Sequence, residues 1–163
     1  MKGNDQVIEI LNEALKGELT AINQYFLHGE MCANWGYSKL ASYMRKESIE
    51  EMQHAEALME RILYLDGTPT MDQLFPLRIG KNVKEQLTND LHLELDAIPR
   101  LARGVAMAEQ VGDIGSRELF TKILTDEEHH VDWLEAQLHI ISEVGIENYL
   151  PKQMNAAGED GGH

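Results

Sequence analysis

Residues 51–54 read EMQH and residues 127–130 read EEHH, so each segment places a histidine three residues after a glutamate. On an α-helix, side chains at positions i and i+3 project from neighbouring turns of one face. Each segment would therefore present a carboxylate oxygen and an imidazole nitrogen together. A single pair of this kind is common on helix surfaces, so its repetition and its surroundings decide what it means.

Both segments lie in long stretches with helical periodicity. Apolar residues recur at steps of three and four residues along four parts of the chain, 7–29, 40–65, 83–108 and 119–141. Turn-forming residues such as Gly36, Pro69 and Gly145 fall outside these parts. Strand-like alternation is almost absent, so the pattern predicts an all-α protein with four long helices.

The lengths of the connections predict how the helices are arranged. The first and second helices, and the third and fourth, are separated by a few residues and should form antiparallel hairpins. About seventeen residues, 66–82, join the hairpins and can cross the whole bundle. We therefore expect a four-helix bundle with one long crossover and a short fifth helix at 146–150. The predicted domain covers 1–150 and leaves 151–163 as a tail, of which 155–163 should be disordered.

Each long helix also carries one glutamate in the middle of its apolar stripe. These four residues are Glu18, Glu51, Glu94 and Glu127. Moving a lone charge into a protein interior costs several kcal/mol, and four converging carboxylates also repel one another. Cations bound between the helices would offset both penalties, so the pattern predicts a metal site in the bundle core.

The predicted site is duplicated along the chain. Glu94 lies 76 residues after Glu18, and the pairs 51/127 and 54/130 have the same separation. The second hairpin therefore repeats the first in register, as an approximate twofold axis would require. The predicted ligands are Glu18, Glu51, His54, Glu94, Glu127 and His130. Their four carboxylates would balance the charge of two divalent ions, which predicts a site for two metals.

The ligand types narrow the choice of metal. Mixed carboxylate and imidazole ligation with few ligands per ion suits iron or manganese, which keep positions open for dioxygen or peroxide. Zinc could bind such a site but supplies no redox chemistry. Cys32 is the only cysteine, which excludes an intrachain disulfide and a thiolate-bound iron–sulfur cluster.

Four parts of the sequence carry a family resemblance. They are Glu18 with Tyr25, residues 51–54, Glu94 between two leucines, and residues 126–130. With these features the sequence resembles the bacterioferritins, the haem-containing branch of the ferritins. The resemblance extends over almost the whole chain. It implies a ferritin-like four-helix bundle that assembles into homo-oligomeric cages of twenty-four subunits. It also implies that the protein oxidises iron(II) with dioxygen or peroxide, stores the ferric mineral inside the cage, and receives electrons from a donor protein when iron is released.

The resemblance further assigns roles within the predicted site. Glu51 and Glu127 would bridge the two iron ions of each subunit, and Tyr25 would lie close by. Each iron would be completed by one further pair, Glu18 with His54 or Glu94 with His130. The sequence leaves open whether the irons stay as a cofactor or pass on to the mineral, and whether a second type of subunit joins the cage.

Met52 follows Glu51, which lies on the apolar stripe of its helix, the seam along which the helices pack. One step along a helix turns a side chain by about 100°, here away from the core. It should therefore face outward. On the residues alone it is ordinary interface filler, because methionine packs irregular gaps well. The resemblance instead implies that Met52 is an axial ligand of haem b, which two subunits would share by contributing one methionine each.

The composition excludes several partners. The chain of 163 residues carries 28 acidic and 14 basic side chains, a net charge of −14, which repels nucleic acid and favours cations. No stretch approaches the ~18 apolar residues needed to span a bilayer, and the first residues lack the basic and apolar regions of an export signal. We therefore expect no membrane partner and a cytoplasmic location, which the lone cysteine also fits.

Apolar residues beside the seams predict assembly. The outward strip would consist of Ile22, Phe26, Ile49, Met52 and Met59. Soluble monomers rarely expose a patch of this kind. Ile146, Tyr149 and Leu150 lie beyond the bundle's end, where we expect only neighbouring subunits to cover them. Two kinds of contact would close a shell rather than stop at a dimer.

Other polar residues receive weaker assignments. His28, His92 and His139 lack a partnered motif and are predicted to lie at the surface or in an interface. Glu47 and Glu50 could guide iron on the cavity wall, but a carboxylate cluster on a helix is usually solvated, and we expect these two to be solvated. The main alternative function is a di-iron oxidase or oxygenase without a storage role, which would form a small dimer rather than a cage.

Overall fold

A computed structural model describes residues 1–154 and shows an all-helical chain. The four long helices are α1 (Asp5–Asn34), α2 (Ser38–Tyr64), α3 (Val83–Gln110) and α4 (Ile114–Val144). Helix α5 (Ile146–Tyr149) follows, and Leu150–Gln153 form a 3-10 turn. The predicted all-α bundle with a short fifth helix is confirmed, although the 3-10 turn continues into residues assigned to the tail. The disorder predicted for 155–163 lies outside the described residues.

The long helices pack as two hairpins, α1 against α2 and α3 against α4, which meet through α1–α3 and α2–α4 contacts. One apolar cluster in the core contains Leu11, Leu58 and Phe120, and a second contains Tyr25 and Leu134. Fully burying one such side chain contributes roughly 1.5–3 kcal/mol. The predicted metal ligands lie in the layer between the two clusters. Within residues 1–154, no helix has both the length and the apolar character that crossing a membrane requires.

Polar caps fix where the helices begin and end. The Asn4, Asn82 and Asp113 side chains accept backbone N–H groups in the first turns of α1, α3 and α4, which those helices cannot satisfy themselves. Asp113 also accepts a hydrogen bond from the Arg61 guanidinium at 2.7 Å, which ties α2 to the start of α4. Gly145, with φ of 82°, ends α4 in a conformation that favours glycine.

The long crossover, residues 65–82, is held against α1 by a row of side chains spaced four residues apart. The row consists of Asn12, Lys16, Thr20, Gln24 and His28. The Asn12 side chain accepts the Thr70 N–H at 2.8 Å and donates to the Thr68 carbonyl at 3.1 Å. Thr20, Gln24 and His28 accept further backbone N–H groups, those of Phe75, Arg78 and Gly80. A four-residue spacing keeps all five side chains on one helix face, so the crossover follows α1 along much of its length.

Asn12→Ala should destabilise the fold by about 2 kcal/mol, because it removes two hydrogen bonds worth ~1 kcal/mol each. Asn23→Ala is the matched control, since the Asn23 side chain donates to the Leu19 carbonyl of its own helix and not to the crossover. Urea unfolding of both variants measures the difference. Equal losses of stability would contradict the role given to Asn12.

The positions predicted for His28 and Tyr149 are wrong. His28 is fully buried, because its ring is bonded to a carboxylate on one side and to the crossover on the other. Tyr149 is 3% exposed within its own chain, because α5 folds back on the bundle end and the Tyr149 hydroxyl donates to Gln137 at 2.6 Å. Ile146 and Leu150 pack against the same apolar cluster. The fifth helix therefore supplies no argument for neighbouring subunits.

Candidate dinuclear metal centre

The four seam glutamates meet in the middle of the bundle, and none is more than 3% exposed. Their burial follows from the sequence, because each glutamate sits on an apolar stripe that helix packing turns inward. Among residues 1–154, no lysine or arginine nitrogen lies within 4.0 Å of any of these carboxylates. Among the described residues, the two histidines of the cluster are therefore the only side chains placed to offset the buried negative charge.

His54 faces the first half of this cluster with its Nδ1 atom. Nδ1 lies 3.2 Å from Glu51 Oε1, 3.4 Å from Glu127 Oε1 and 3.6 Å from Glu18 Oε2. One ligand atom from each of these four residues falls within a 4.8 Å group, which is compact enough to surround one ion.

His130 faces the second half in the same way. Its Nδ1 atom lies 3.3 Å from Glu94 Oε2, 3.5 Å from Glu127 Oε1 and 3.8 Å from Glu51 Oε1. These four residues form a second group of the same size, and the two groups share Glu51 and Glu127. The structure thus brings all six predicted ligands together in the duplicated arrangement that the sequence predicts.

The outer nitrogens of both histidines also meet carboxylates. His54 Nε2 lies 2.8 Å from Asp126 Oδ2, and His130 Nε2 lies 2.7 Å from Glu47 Oε2. The His54 contact is a hydrogen bond, and a histidine that donates Nε2–H to a carboxylate keeps the lone pair of Nδ1 for a metal. The His130 contact is at ion-pair distance, but neither His130 Nε2 nor Glu47 Oε2 has a hydrogen-bond partner among the described residues. Although burial opposes the charge of Asp126, hydrogen bonds from Lys122 and His54 hold the pKa of this carboxyl below its usual value.

Protons can take the place of metal in the empty cluster. Burial raises the pKa of Glu51 and Glu127 well above the usual range, and the neighbouring carboxylates raise it further. Burial opposes a charged imidazole at His130, but the carboxylates of Glu47 and Glu94 outweigh it and raise the pKa to about 12. Divalent ions would therefore bind in competition with protons.

Several buried atoms of the cluster have no hydrogen-bond partner among the described residues. They include Glu18 Oε2, Glu51 Oε1, Glu127 Oε1 and His54 Nδ1. An unpaired buried polar atom costs roughly 1–3 kcal/mol, so a group of them pointing at one another is unfavourable without an occupant. Three oxygens and one nitrogen converging in this way fit the donor preference of iron or manganese.

Tyr25 lies beside the site and donates its hydroxyl hydrogen bond to Glu94 Oε1 at 3.0 Å. Complete burial raises the pKa of this phenol well above its usual value, and the charges of Glu94 and Asp90 add to the shift. Tyr25 therefore stays protonated and orients one oxygen of Glu94. The predicted proximity is found, whereas any redox role of Tyr25 stays a prediction.

The sequence analysis missed two carboxylates that serve the site. Glu47 was expected to be solvated, but it is buried against His130 because it sits on the apolar stripe of α2, one turn before Glu51. Asp126 was not singled out, although it lies 76 residues after Glu50, the same offset as the ligand pairs. Glu50 is 3.3 Å from His130 Nε2, so the duplication includes these outer partners as well.

A second buried network lies next to the site on the side of the crossover. Asp90 Oδ1 is 2.9 Å from both Gln24 Nε2 and His28 Nδ1. His28 Nε2 accepts the Gly80 N–H at 3.0 Å, so Nδ1 carries the ring proton and donates it to Asp90. The network positions the end of the crossover and holds no predicted ligand.

Met52 faces outward, as the sequence predicts, with 53% of its surface exposed. Phe26 and Ile49 from the predicted outward strip are also exposed, at 54% and 50%. Ile22 and Met59 instead pack partly against the core. The strip is therefore narrower than predicted, and the thioether of Met52 is accessible.

A bundle with one long crossover, two Glu-x-x-His helices and two further buried glutamates defines the ferritin-like class of dinuclear carboxylate proteins. In agreement with this class, residues 8–144 match the ferritin-like domain family.

The chain is 51% identical to the bacterioferritin of Streptomyces coelicolor, over 92% of this chain and 90% of that protein. It is 47% identical to the bacterioferritin of Brucella melitensis, over 98% of each chain. It is also 47% identical to a bacterioferritin of Mycobacterium tuberculosis, over 91% of this chain and 94% of the relative. The chain belongs to the bacterioferritins.

Proposed function

We propose that this protein stores iron by oxidising iron(II) at its buried dinuclear site and keeping the ferric product inside a multi-subunit cage. The observation that carries the proposal is the pair of four-residue groups that share Glu51 and Glu127. Membership in the bacterioferritins supports the storage role. The net charge of −14 supports iron as the cargo, because an acidic protein attracts cations.

Each of the two iron ions would be bound by four of the six ligands. Glu51 and Glu127 would bridge them, since each belongs to both groups. The pairs Glu18 with His54 and Glu94 with His130 would complete one ion each. Two iron(II) ions neutralise the four carboxylates, and the loss of one electron from each leaves the site with a net charge of +2. That excess favours hydrolysis and release of the ferric product.

The electrons and protons balance with either oxidant. Two iron(II) ions and two protons reduce dioxygen to hydrogen peroxide, or they reduce hydrogen peroxide to two waters as the O–O bond breaks. Burial raises the pKa of Glu51 and Glu127, so protons compete with iron(II) for these carboxylates and are released when iron binds. The two protons that the oxidant takes up come from water, which the ferric ions hydrolyse.

The function is tested by adding iron(II) in air to the purified protein and separating the products by size. We expect ferric absorbance to travel with a particle of about twenty-four chains of 18.5 kDa each. A stable dimer that oxidises iron but retains none would overturn storage and favour the alternative, a di-iron oxidase. A protein that neither oxidises nor retains iron would overturn both.

Haem binding at Met52 is a second part of the proposal. Met52 is exposed, as are the apolar residues Phe26 on α1 and Ile49 on α2 of the predicted outward strip, which suits an apolar macrocycle shared with a second copy of the chain. Bound haem would supply an electron-transfer centre at this surface. The chain's own contribution is the sulfur ligand and the apolar contact.

Met52→Leu should abolish haem binding, because leucine keeps the bulk but has no sulfur. Oxidation of iron(II) should continue, since Met52 belongs to neither ligand group. The control is Met59→Leu, the same change two turns further along α2, which should leave haem in place. Absorbance spectra and haem-to-protein ratios of both variants measure haem binding. An unchanged haem content in Met52→Leu would show that Met52 is not the haem ligand.

A further inference from the structure

A cavity of about 350 Å³ lies against the dinuclear site on the face formed by α1 and α3. Glu18, Glu51 and Glu127 form its floor, so a molecule in the cavity would reach the metal ligands directly. Phe75 and Pro76 of the crossover cover it. The volume exceeds that of several waters, at about 30 Å³ each, which is ample for a small molecule on its way to the metals.

Arg100 stands at the mouth of this cavity without a carboxylate partner. Its guanidinium lies 4.5 Å from the centre of the Phe75 ring, and Lys16 Nζ lies 4.4 Å from the same ring. Among residues 1–154, no carboxylate oxygen lies within 4.0 Å of Arg100. The guanidinium also packs directly over Gly17, where a Cβ atom would displace the end of the Arg100 side chain. Gly17 and the Phe75 ring therefore define where this guanidinium lies.

The two open faces of the bundle differ in charge and in ligands. The α1/α3 mouth carries three cationic side chains, Lys16, Arg78 and Arg100, and one carboxylate, Asp96, which is 3.5 Å from Arg78. The α2/α4 face instead offers further groups able to hold a metal ion. These are Glu47 with Glu50 and His130, and Glu50 with His54 and Asp126. The α2/α4 face also carries two lysines, Lys46 and Lys122, of which Lys122 pairs with Asp126 at 2.8 Å, so the two faces differ chiefly in their metal-ligating groups. A divalent cation therefore meets further groups of ligands on the α2/α4 face and mainly cationic side chains at the α1/α3 mouth.

We propose that the α1/α3 cavity is the binding site of the small uncharged oxidant, dioxygen or hydrogen peroxide, and that Arg100 keeps iron(II) out of it. The inference rests on the proposed function and adds to it where the second substrate binds. A neutral molecule is not repelled by the cationic mouth. As the oxidant accepts electrons, one from each iron(II), the positive charge of Arg100, which lines the same cavity, favours the negative charge that develops on oxygen before protons neutralise it.

The exclusion of cations is tested with cobalt(II) under anaerobic conditions, because its visible absorbance reports entry without any oxidation. Arg100→Glu should open a second route and speed loading on the order of tenfold, since fields at a mouth change ion on-rates by this much or more. The matched control is Arg103→Glu on the next turn of α3, where the arginine pairs with Glu13 and does not line the cavity. Glu50→Gln should slow loading in the wild-type background but not in Arg100→Glu.

The oxidant site is tested with Ala97→Leu, which fills part of the cavity without changing charge. In protein preloaded with iron(II), we expect the rate constants for dioxygen and for peroxide to fall several-fold, while cobalt(II) loading and stoichiometry stay unchanged. If the rate constant falls for only one of the two oxidants, the cavity is the binding site of that oxidant. Circular dichroism checks that the Ala97→Leu variant is folded. Arg100→Glu is the second variant for this measurement. It leaves the cavity unfilled and should lower the same rate constants.

Three results would overturn the inference. The first is that the rate constants for dioxygen and for peroxide in Ala97→Leu equal those of the wild type. The second is slower cobalt(II) loading in that variant. The third is that cobalt(II) loads into Arg100→Glu at the same rate as into Arg103→Glu. Each leaves the proposed function intact if the wild type oxidises iron. A wild type that loads cobalt(II) but oxidises no iron(II) would instead remove the proposed function, and the oxidant site with it.

Discussion

Glu94→Ala should abolish the rapid phase of iron(II) oxidation. Glu94 is fully buried, lies 3.3 Å from His130 Nδ1 and accepts the Tyr25 hydroxyl, so no other carboxylate of its group takes the same position. The variant leaves three carboxylates for two divalent ions and deprives one ion of a ligand. Loss of an outer partner of a metal ligand already costs about 10–100-fold, so loss of the ligand itself should cost at least that much.

Stopped-flow absorbance after aerobic addition of iron(II) measures this loss. Glu109→Ala is the control, because Glu109 is an exposed carboxylate on the same helix that pairs with Arg117 at 3.5 Å, far along α3 from the site. Helical content by circular dichroism should match the wild type in both variants. A fast phase of unchanged amplitude in Glu94→Ala would show that Glu94 is not a ligand.

Much of the candidate site was accessible from the sequence because burial and charge conflict there. A glutamate on an apolar stripe is a costly choice, and the stripes themselves follow directly from helical periodicity. The offset of 76 residues then fixes which glutamate corresponds to which. The four long helices, the crossover and the convergence of six side chains could all be predicted on this basis.

The residues that sequence reasoning misplaced depend on contacts between distant parts of the chain. His28 is buried because the crossover returns along α1 and Gly80 donates to its ring, and no local pattern specifies that path. Tyr149 is buried because α5 folds back on the bundle. Glu47 shows a different failure: it occupies a stripe position, but a cluster of acidic residues on a helix is usually solvated, and that expectation outweighed the periodicity.

Removing charge from the empty site should stabilise the metal-free protein even as it destroys metal binding. Burial raises the pKa of Glu51 and Glu127, so between about pH 4.3, the ordinary glutamate value, and their raised values the folded chain holds more protons than the unfolded chain. Stability therefore falls as pH rises through that window. His130, whose pKa is raised to about 12, acts in the same direction above its ordinary value. Asp126, whose pKa is lowered, changes stability only at lower pH.

Glu51→Gln should accordingly raise the free energy of unfolding of the metal-free protein at pH 8 by on the order of 2 kcal/mol, since an isosteric neutral group neither takes up a proton on folding nor buries a charge. The variant should also show a flatter dependence of stability on pH between 5 and 8. Zinc(II), which binds without redox chemistry, should stabilise the wild type strongly and abolish the fall in stability with rising pH in this range, because the metal replaces the protons and binds more tightly as the ligands lose them. The variant should gain much less from zinc(II).

Calorimetric unfolding of both proteins, with chelator and with zinc(II), measures all three effects. A metal-free Glu51→Gln protein less stable than the wild type at pH 8 would mean that hydrogen bonds to this carboxylate outweigh its desolvation, and the cluster would then be a structural network rather than a site held ready for cations.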